Sequence, residues 1–346
     1  MQNNTRGGQI MRSKQWLHLL VPFMFATTRC VAFVHLGRLT CSSSPSKIIR
    51  QGLHASSSTH HHDSIFLDQV ETSVARVLEK YGDSDVDILD LPPPDRESLG
   101  VARSLDTRLQ ALTRNNDCRR CWLQQAHCVC DKCKPLEVVG DDDDSSVLPK
   151  VKRLFLLMHH KEIALHVDTA KLILAAFPET CRLVVGGIGA EYQDSMKEMQ
   201  EAVEGNSCLV LFPTDDAMTF NAIEQREEEE RQDGWDVIVI DGTWAQARKL
   251  HSRYVQNGPT HVQLSEEAVE ILEHAASGGN REGHQIRRHP IKWREVSTLE
   301  ATRLFLGDMM NNSIERPWDA LATYQKIGDA AARKQLGPPR ESEKKS

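Results

Sequence analysis

Four cysteines within thirteen residues are the densest set of potential metal ligands in the chain. They are Cys118, Cys121, Cys128 and Cys130, and Cys133 follows closely. Structural zinc sites take four such ligands in a tetrahedron, and a two-residue gap lets one turn present two sulfurs to one ion. Five of the nine cysteines lie in this segment of a long, charged chain, which favours a metal site over disulfides. We predict structural zinc; an iron–sulfur cluster and free thiols are the alternatives.

A carboxylate follows an apolar run further along the chain. Asp241 comes directly after residues 235–240 and precedes Gly242, Thr243 and Trp244. Ligands of open α/β sheets bind at the carboxyl ends of strands, so a carboxylate at this place is well positioned for chemistry. Gly242 permits a sharp turn or the close approach of a ligand, and Thr243 can cap a following helix. Taken alone, the segment fits an ordinary strand-to-helix turn equally well.

An alternation of apolar runs and helical patterns supplies the scaffold for these side chains. The apolar runs are short and β-rich, which is typical of strands buried on both faces of a parallel sheet. They lie at residues 153–158, 181–185, 208–212 and 235–240, and helical patterns lie at 169–177, 216–231 and 244–254. We therefore predict an α/β fold with a mostly parallel sheet.

The flanking segments have simpler patterns. Residues 65–82 have apolar side chains at helical spacing and end in Gly82, which predicts a short amphipathic helix. Residues 83–97 contain three successive prolines and are predicted to be a linker. The acidic runs at 140–146 and 224–233 are interpreted as solvated surface.

Charge is distributed unevenly along the chain, whose formal net charge is -7. The first 62 residues hold seven of the 42 Lys and Arg and none of the 49 Asp and Glu, so residues 63–346 carry a net charge of -14. Contact with RNA therefore requires a local basic face. Arg248, Lys249 and Arg253, which follow Trp244, are candidates for phosphate contacts, and a plain solvated face is an equally good interpretation.

The N-terminal segment has the composition of a targeting signal. Basic residues precede an apolar stretch at about 16–34, Cys30 and Ala32 offer a cleavage site before Phe33, and a Ser-rich, acid-free segment follows. This pattern resembles a bipartite presequence over residues 1–62 and indicates import into an organelle, with a plastid favoured and a mitochondrion as the alternative. A membrane anchor is less favoured because polar residues interrupt the apolar stretch, so we expect no stable membrane association of the mature form.

Six landmarks in order resemble the DTW-domain family of tRNA-uridine aminocarboxypropyltransferases. They are the four-cysteine cluster, His159-His-Lys-Glu162, Leu211-Phe212-Pro213 with Asp216-Ala217, Asp241-Gly-Thr-Trp244, Arg287-Arg288-x-Pro290 and Ser297-Thr-Leu-Glu-Ala301. The sequence departs from the family pattern at two places. His160 stands where the family usually has Pro, and Asp168-Thr169-Ala170 stands where Asn-Thr and a small residue are common.

The resemblance implies the domain organisation. The family domain would occupy residues 111–310, with a zinc module at 115–135 and an α/β core that binds S-adenosylmethionine at 150–310. Residues 63–110 would form a helix and a linker, and residues 311–346 a C-terminal helix and tail. The family's fold is similar to that of the SPOUT-type methyltransferases, whose C-terminal region is knotted.

The resemblance also implies the reaction and its residues. The 3-amino-3-carboxypropyl group of S-adenosylmethionine would pass to N3 of a uridine in tRNA and leave methylthioadenosine. Asp241, Thr243 and Trp244 would form the catalytic segment, with Asp241 as the candidate general base because a strand-end carboxylate beside Trp244 can have a raised pKa. The implied cofactor contacts are Leu211, Phe212, Pro213, Asp216, Gly242, Arg288, Ser297, Thr298, Leu299 and Glu300.

Two other functions remain open for this sequence, and the oligomeric state is left open as well. One is a SPOUT-like RNA methyltransferase that uses the same cofactor, and the other is a non-catalytic, zinc-dependent RNA-binding protein. A nucleotide-binding oxidoreductase is disfavoured, because Gly186, Gly187 and Gly189 lack the full G-x-G-x-x-G spacing.

Overall fold

The computed structural model describes residues 65–81, 88–137, 147–205, 207–226, 234–277, 296–310 and 316–337. Contacts divide the chain into residues 1–57 and residues 58–346, and every described residue belongs to the second unit. The predicted presequence, the acidic run at 140–146, most of the run at 224–233 and the segment around Arg288 lie outside the described residues.

Five parallel strands form the sheet at the centre of this unit. They are β1 Val151–His159, β2 Cys181–Gly186, β3 Cys208–Leu211, β4 Trp235–Asp241 and β5 Thr260–Val262, in the spatial order β2-β1-β4-β3-β5. The structure confirms the four predicted strands and the parallel α/β class. Strand β5 was not predicted, because its three residues form no apolar run.

Helices cover both faces of the sheet. They are α1 Ile65–Tyr81, α2 Pro93–Arg114, α3 Lys171–Ala176, α4 Asp194–Glu204, α5 Phe220–Glu224, α6 Trp244–Leu250, α7 Glu266–Ser277, α8 Thr298–Met309 and α9 Ala320–Leu336. Neighbouring residues of β1 point to opposite faces: Phe155 joins a core cluster with residues of α4 and α6, and Leu156 joins the cluster containing residues of α3, α5, α8 and α9. Burial on both faces explains why the strands are almost wholly apolar.

Two predicted segments differ from the structure. The linker predicted at 83–97 is in part helix, because α2 begins at Pro93. Proline fits the first turn of a helix, where no intrahelical partner needs its missing N–H. The helix predicted at 216–231 begins only at Phe220, because the backbone of Met218 is extended and pairs with β5 through His261 O and Gln263 N.

Helix α6 ends differently from the predicted helix at 244–254. The α-helical hydrogen bonding of Trp244–Leu250 passes into a π-helical turn at His251–Val255. A π-helical turn adds one residue to the turn and rotates the side chains that follow it. His251 is the first residue of this turn, and its side chain contacts His261 of β5.

Among the described residues, no helix combines the length and hydropathy needed to cross a bilayer.

Candidate active site and metal centre

The sulfurs of the predicted zinc ligands lie together. The Sγ atoms of Cys118, Cys121, Cys128 and Cys130 are all within 4.8 Å of one another. The Cys118 and Cys130 sulfurs are 3.5 Å apart, and those of Cys121 and Cys128 are 3.7 Å apart. Four sulfurs ~2.3 Å from a tetrahedral ion would be ~3.8 Å from each other, so the arrangement fits a metal ion and is too wide for disulfides.

A backbone hydrogen bond and the ion pairs of Arg119 fix the position of the cysteine segment. Cys118 N–H donates to Leu123 O at 2.7 Å, which closes the turn that presents the first two sulfurs. Arg119 forms salt bridges with Asp68 and Glu71 of α1 at 2.8 and 2.9 Å. These contacts connect the cysteine segment to α1, and the ligand positions are therefore set by neighbouring elements as well as by the segment itself.

Cys133 and Lys171 lie near this cluster but are not part of it. Cys133 is buried and is not among the four clustered cysteines, and burial raises the pKa of its thiol to about 11. Lys171 is fully buried on α3, where its Nζ donates to the carbonyl oxygens of Leu165 and His166 at 3.2 and 2.8 Å. Burial lowers the pKa of Lys171 to about 8, while the negative charges of Asp168 and of nearby cysteines oppose that shift.

The second site lies between the carboxyl ends of β1 and β4. After β1 the chain continues to β2 on one side of the sheet, and after β4 it continues to β5 on the other side. Such a reversal opens a crevice between the two strands, where ligands of open α/β sheets bind. Met158 of β1 lies beside Asp241 of β4, so the predicted catalytic carboxylate is at this crevice.

The loop after β4 needs a glycine. Gly242 has a φ of 153°, and a Cβ there would lie 3.1 Å from Gln246 Cβ and 3.3 Å from His159 Cβ. Thr243 then caps α6: its Oγ accepts from Gln246 N, and the Gln246 side chain accepts from Thr243 N. Asp241 itself is fully buried at 0% exposure, whereas Trp244 is 40% exposed.

Two stacked histidines border the crevice on the β1 side. The rings of His159 and His160 have centroids 4.3 Å apart. Burial, followed by the charges of His160, Lys161, Lys249 and Arg108, lowers the pKa of His159 to about 4. Burial also lowers the pKa of His160. Both rings are thus neutral near pH 7, and Lys161 and Arg108 lie near each of them.

A row of aromatic rings borders the crevice on the β3 side. Trp244 stacks on Phe212 with centroids 5.5 Å apart, and Phe212 stacks on His251 at 4.2 Å. The Nε2 atoms of His251 and His261 are 2.8 Å apart, so one ring donates a hydrogen bond to the other. Neither histidine was predicted to belong to the site, because both lie outside the recognised motifs and meet only because β5 pairs beside β3.

The loop after β3 carries other predicted cofactor contacts. Phe212 N–H donates to Val262 O, and Phe212 O accepts from Thr214 N, each at 3.0 Å. Pro213 and Asp216 are exposed, and hydrogen bonding by the Thr214 hydroxyl lowers the pKa of the Asp216 carboxyl. The loop places Phe212 against Trp244, and these two predicted site residues therefore do come together.

The start of α8 is fixed by hydrogen bonds within its own first turn and by one hydrogen bond from α9. Ser297 Oγ accepts from Glu300 N at 3.2 Å and from Gln325 Nε2 at 3.3 Å. The Glu300 carboxylate forms a two-point ion pair with Arg303, and Leu299 is fully buried. The side chains of Ser297, Leu299 and Glu300 therefore have structural partners here, and none of these contacts joins the loops after β3 and β4.

Comparison with known proteins gives the decisive observation. The family model described as "DTW domain" matches residues 115–331. This chain belongs to the DTW domain family. "tRNA-uridine aminocarboxypropyltransferase 2" of Macaca fascicularis is 24% identical over 250 residues, which cover 68% of this chain and 74% of that protein. The protein of the same name from Mus musculus is 25% identical over 221 residues, 61% of this chain and 64% of that protein. No solved structure matches the chain.

The DTW domain match runs past residue 310 and includes most of α9. That helix contacts the cysteine segment directly: Tyr324 OH donates to Lys134 O at 2.8 Å, and Gln335 Oε1 accepts from Gln124 N at 2.9 Å. The glycine loop after β2 is likewise held by protein groups, because Gly187 N donates to Tyr254 OH. This N–H is therefore already bonded within the DTW domain.

Proposed function

We propose that this protein transfers the 3-amino-3-carboxypropyl group of S-adenosylmethionine to N3 of a uridine in tRNA. The observation that carries the proposal is that the Asp241–Trp244 loop, which resembles the family's defining motif, lies at the crevice between β1 and β4. The names of the two relatives support the same reaction.

The reaction forms a bond between uridine N3 and the Cγ methylene of the methionine chain and breaks the bond from Cγ to sulfur. Sulfur leaves with the electron pair as methylthioadenosine, and N3 gives up its proton. The protein must therefore aim N3 at the methylene instead of the methyl carbon, which is a matter of position and orientation. It must also provide a group that receives the proton.

Asp241 is our candidate for that group. Its carboxylate is fully buried beside β1, so direct proton transfer requires that substrate binding uncovers it. In the alternative role Asp241 would hold the loop in place, and the proton would pass to another base. Thr243 and Trp244 belong to the same proposed catalytic segment, with Thr243 fixing the start of α6.

We place the cofactor against the loops that follow β3 and β4 and against the start of α8. The proposed contacts are Leu211, Phe212, Pro213, Asp216, Gly242, Arg288, Ser297, Thr298, Leu299 and Glu300. Because the Ser297 and Glu300 side chains bond within the protein, backbone groups at the start of α8 are the better candidates there. A SPOUT-like knot through the C-terminal region belongs to the same proposal.

Zinc is our proposed occupant of the cysteine cluster. All four ligands come from the protein, so the ion would have no open position for a substrate and would stabilise the fold. The spacing of the sulfurs fits this role, as does the burial of three of the four cysteines.

Product analysis tests the proposed reaction. Purified protein, a tRNA transcript and S-adenosylmethionine should yield 3-(3-amino-3-carboxypropyl)uridine and methylthioadenosine, both measured by mass spectrometry. S-adenosylhomocysteine with a methylated nucleoside would instead identify an RNA methyltransferase. Binding of tRNA without either product, across tRNA species, would favour a non-catalytic RNA-binding protein.

A further inference from the structure

Trp244 exposes a flat apolar surface beside the crevice. It is 40% exposed, and it is the only aromatic residue among the exposed large apolar side chains that the structure describes. A single exposed apolar residue needs no explanation by itself. Trp244 differs because its position and orientation are fixed from two directions.

The first constraint on Trp244 is the row of rings behind it. Phe212 lies 12° from parallel to the indole, and His251 lies 14° from parallel to Phe212. The hydrogen bond between His251 and His261 then joins the row to β5. The second constraint is the capping box of Thr243 and Gln246, which fixes the first turn of α6. These contacts hold the indole in one orientation. When a ligand ring stacks on it, little conformational entropy of the indole is lost.

Cations lie near this ring, on α6 and at the end of β1. Arg248 is one helical turn after Trp244 and is exposed, as is Lys249. Lys249 and Lys161 are close enough to His159 to lower its pKa, so both lie beside the end of β1. No ion pair joins Arg248, Lys249 or Lys161 to another residue in the described part of the chain, whereas Arg253 is paired with Glu97.

Acidic side chains lie on the β3 side of the crevice. Asp215 and Asp216 are exposed on the loop after β3, and Asp216 lies near His251 and His261. A polyanion that reached Trp244 would therefore be attracted along the β1 side and repelled from the β3 side. This local asymmetry exists in a chain whose residues 63–346 carry a net charge of -14.

We propose that Trp244 stacks on an unpaired base of the RNA substrate while Arg248, Lys249 and Lys161 bind the phosphates beside that base. The proposal rests on the proposed function in so far as RNA is the substrate. Bases of any sequence can stack on an aromatic ring, and adjacent cations commonly bind the backbone in single-stranded sites. S-adenosylmethionine fits the cations of this surface less well, because its sulfonium is positive and it has no phosphate for them to bind.

The salt dependence of RNA binding separates the two parts of the proposal. The affinity for a tRNA transcript is measured by filter binding over a series of KCl concentrations, without S-adenosylmethionine. Trp244→Leu should weaken binding ~10-fold without changing the salt slope, because stacking releases no counterions. Arg248→Gln and Lys249→Gln should each reduce the slope of log affinity against log salt by ~0.7–0.9, the contribution of one phosphate contact.

Two variants serve as controls. Trp244→Phe retains an aromatic ring and should lose less affinity than Trp244→Leu. Lys326→Gln removes an exposed cation from α9 and should leave both affinity and slope unchanged. Circular dichroism melting identifies any variant that has lost its fold.

Calorimetric titration with S-adenosylmethionine distinguishes the other possible occupant. Trp244→Leu should keep the affinity of the wild type for this ligand. A loss of that affinity with unchanged RNA binding would assign the ring to adenine and overturn the proposal. If Trp244→Leu binds both ligands as tightly as the wild type, and the wild type forms the expected nucleoside, the docking surface alone would be overturned. A wild type that binds no tRNA would overturn the proposed function as well.

Discussion

Asp241 and Trp244 stand three residues apart in one loop, yet one is fully buried and the other is exposed. The sharp backbone turn at Gly242 separates the two environments, and a Cβ at that position would press on both His159 and Gln246. The loop can therefore present a ring to a substrate while it keeps a carboxylate away from water. A carboxylate with that placement is suited to act only after the substrate has bound.

Replacement of this carboxylate tests its role. Asp241→Asn keeps the volume of the side chain but cannot accept the N3 proton, so we expect transfer to slow at least ~10²-fold while cofactor affinity is nearly kept. Higher pH should partly restore the rate, because solvent then deprotonates the uridine. Single-turnover kinetics at saturating S-adenosylmethionine measure both effects. Poor cofactor binding together with a normal saturated rate would instead make Asp241 a positioning residue.

The neutral histidines at the crevice predict an acid-sensitive fold. Burial lowers the pKa of His159 to about 4, and the pKa values of His160 and His251 are lowered as well. In the unfolded chain these groups take up protons below their ordinary pKa of ~6.5, so the free energy of unfolding should fall between about pH 6.5 and pH 4.

Urea unfolding at a series of pH values measures this dependence. His159→Gln should flatten the slope of stability against pH in that window, because one group that takes up a proton only on unfolding is removed. Burial raises the pKa of Asp308, which contributes in the opposite direction, so the informative quantity is the difference between variant and wild type. An identical slope in the two proteins would contradict the prediction.

Some residues of the site could be predicted from the sequence, and others could not. Asp241, Gly242, Thr243 and Trp244 were found because a motif and a strand end coincide. His251 had no such signal, because its contact with His261 depends on a π-helical turn and on a three-residue strand. Neither feature has a periodicity that is long enough to be read from the sequence.

At the level of elements, the cysteine segment should behave as one metal-dependent unit. Purified protein should contain about one zinc per chain, and the double variant Cys118→Ser, Cys121→Ser should lose the metal together with solubility. Metal content is measured by inductively coupled plasma mass spectrometry. Iron and a visible absorption band would instead identify an iron–sulfur cluster.

Cys133→Ser is the matched control for this prediction. Cys133 is buried near the cluster, but its sulfur is not among the four that lie together. The variant should therefore retain the metal even if its stability falls. A metal-free wild type that folds normally and is active would contradict a structural role for zinc.

The success of the element predictions follows the strength of their patterns. Four strands were predicted because burial on both faces makes each one almost wholly apolar. The start of α2 was missed because its prolines resemble a linker, although Pro93 occupies the first turn. The late start of α5 depends on the pairing of Met218 with β5, a tertiary contact that local sequence does not encode.

At the level of the whole molecule, the charge of the N-terminal segment predicts the compartment in which the protein is located. The first 62 residues contain seven Lys or Arg and no Asp or Glu. A fluorescent protein fused behind these residues should enter an organelle, and a plastid is favoured over a mitochondrion. Fluorescence microscopy with organelle markers makes the measurement. The same reporter behind residues 63–81, which include acids, should stay in the cytosol; a diffuse signal from the first fusion would refute the prediction.

The contacts of α9 have a consequence for synthesis of the chain. Tyr324 and Gln335 bond to residues 190 and 211 positions earlier, in and beside the cysteine segment. Ribosomes add ~5–20 residues per second, so ~10–40 s pass between the emergence of the thiols and that of the helix that packs beside them. Throughout this interval the four thiols of the nascent chain are not yet packed against α9. An ion captured before α9 packs would protect them from oxidation and would organise the segment before that helix arrives.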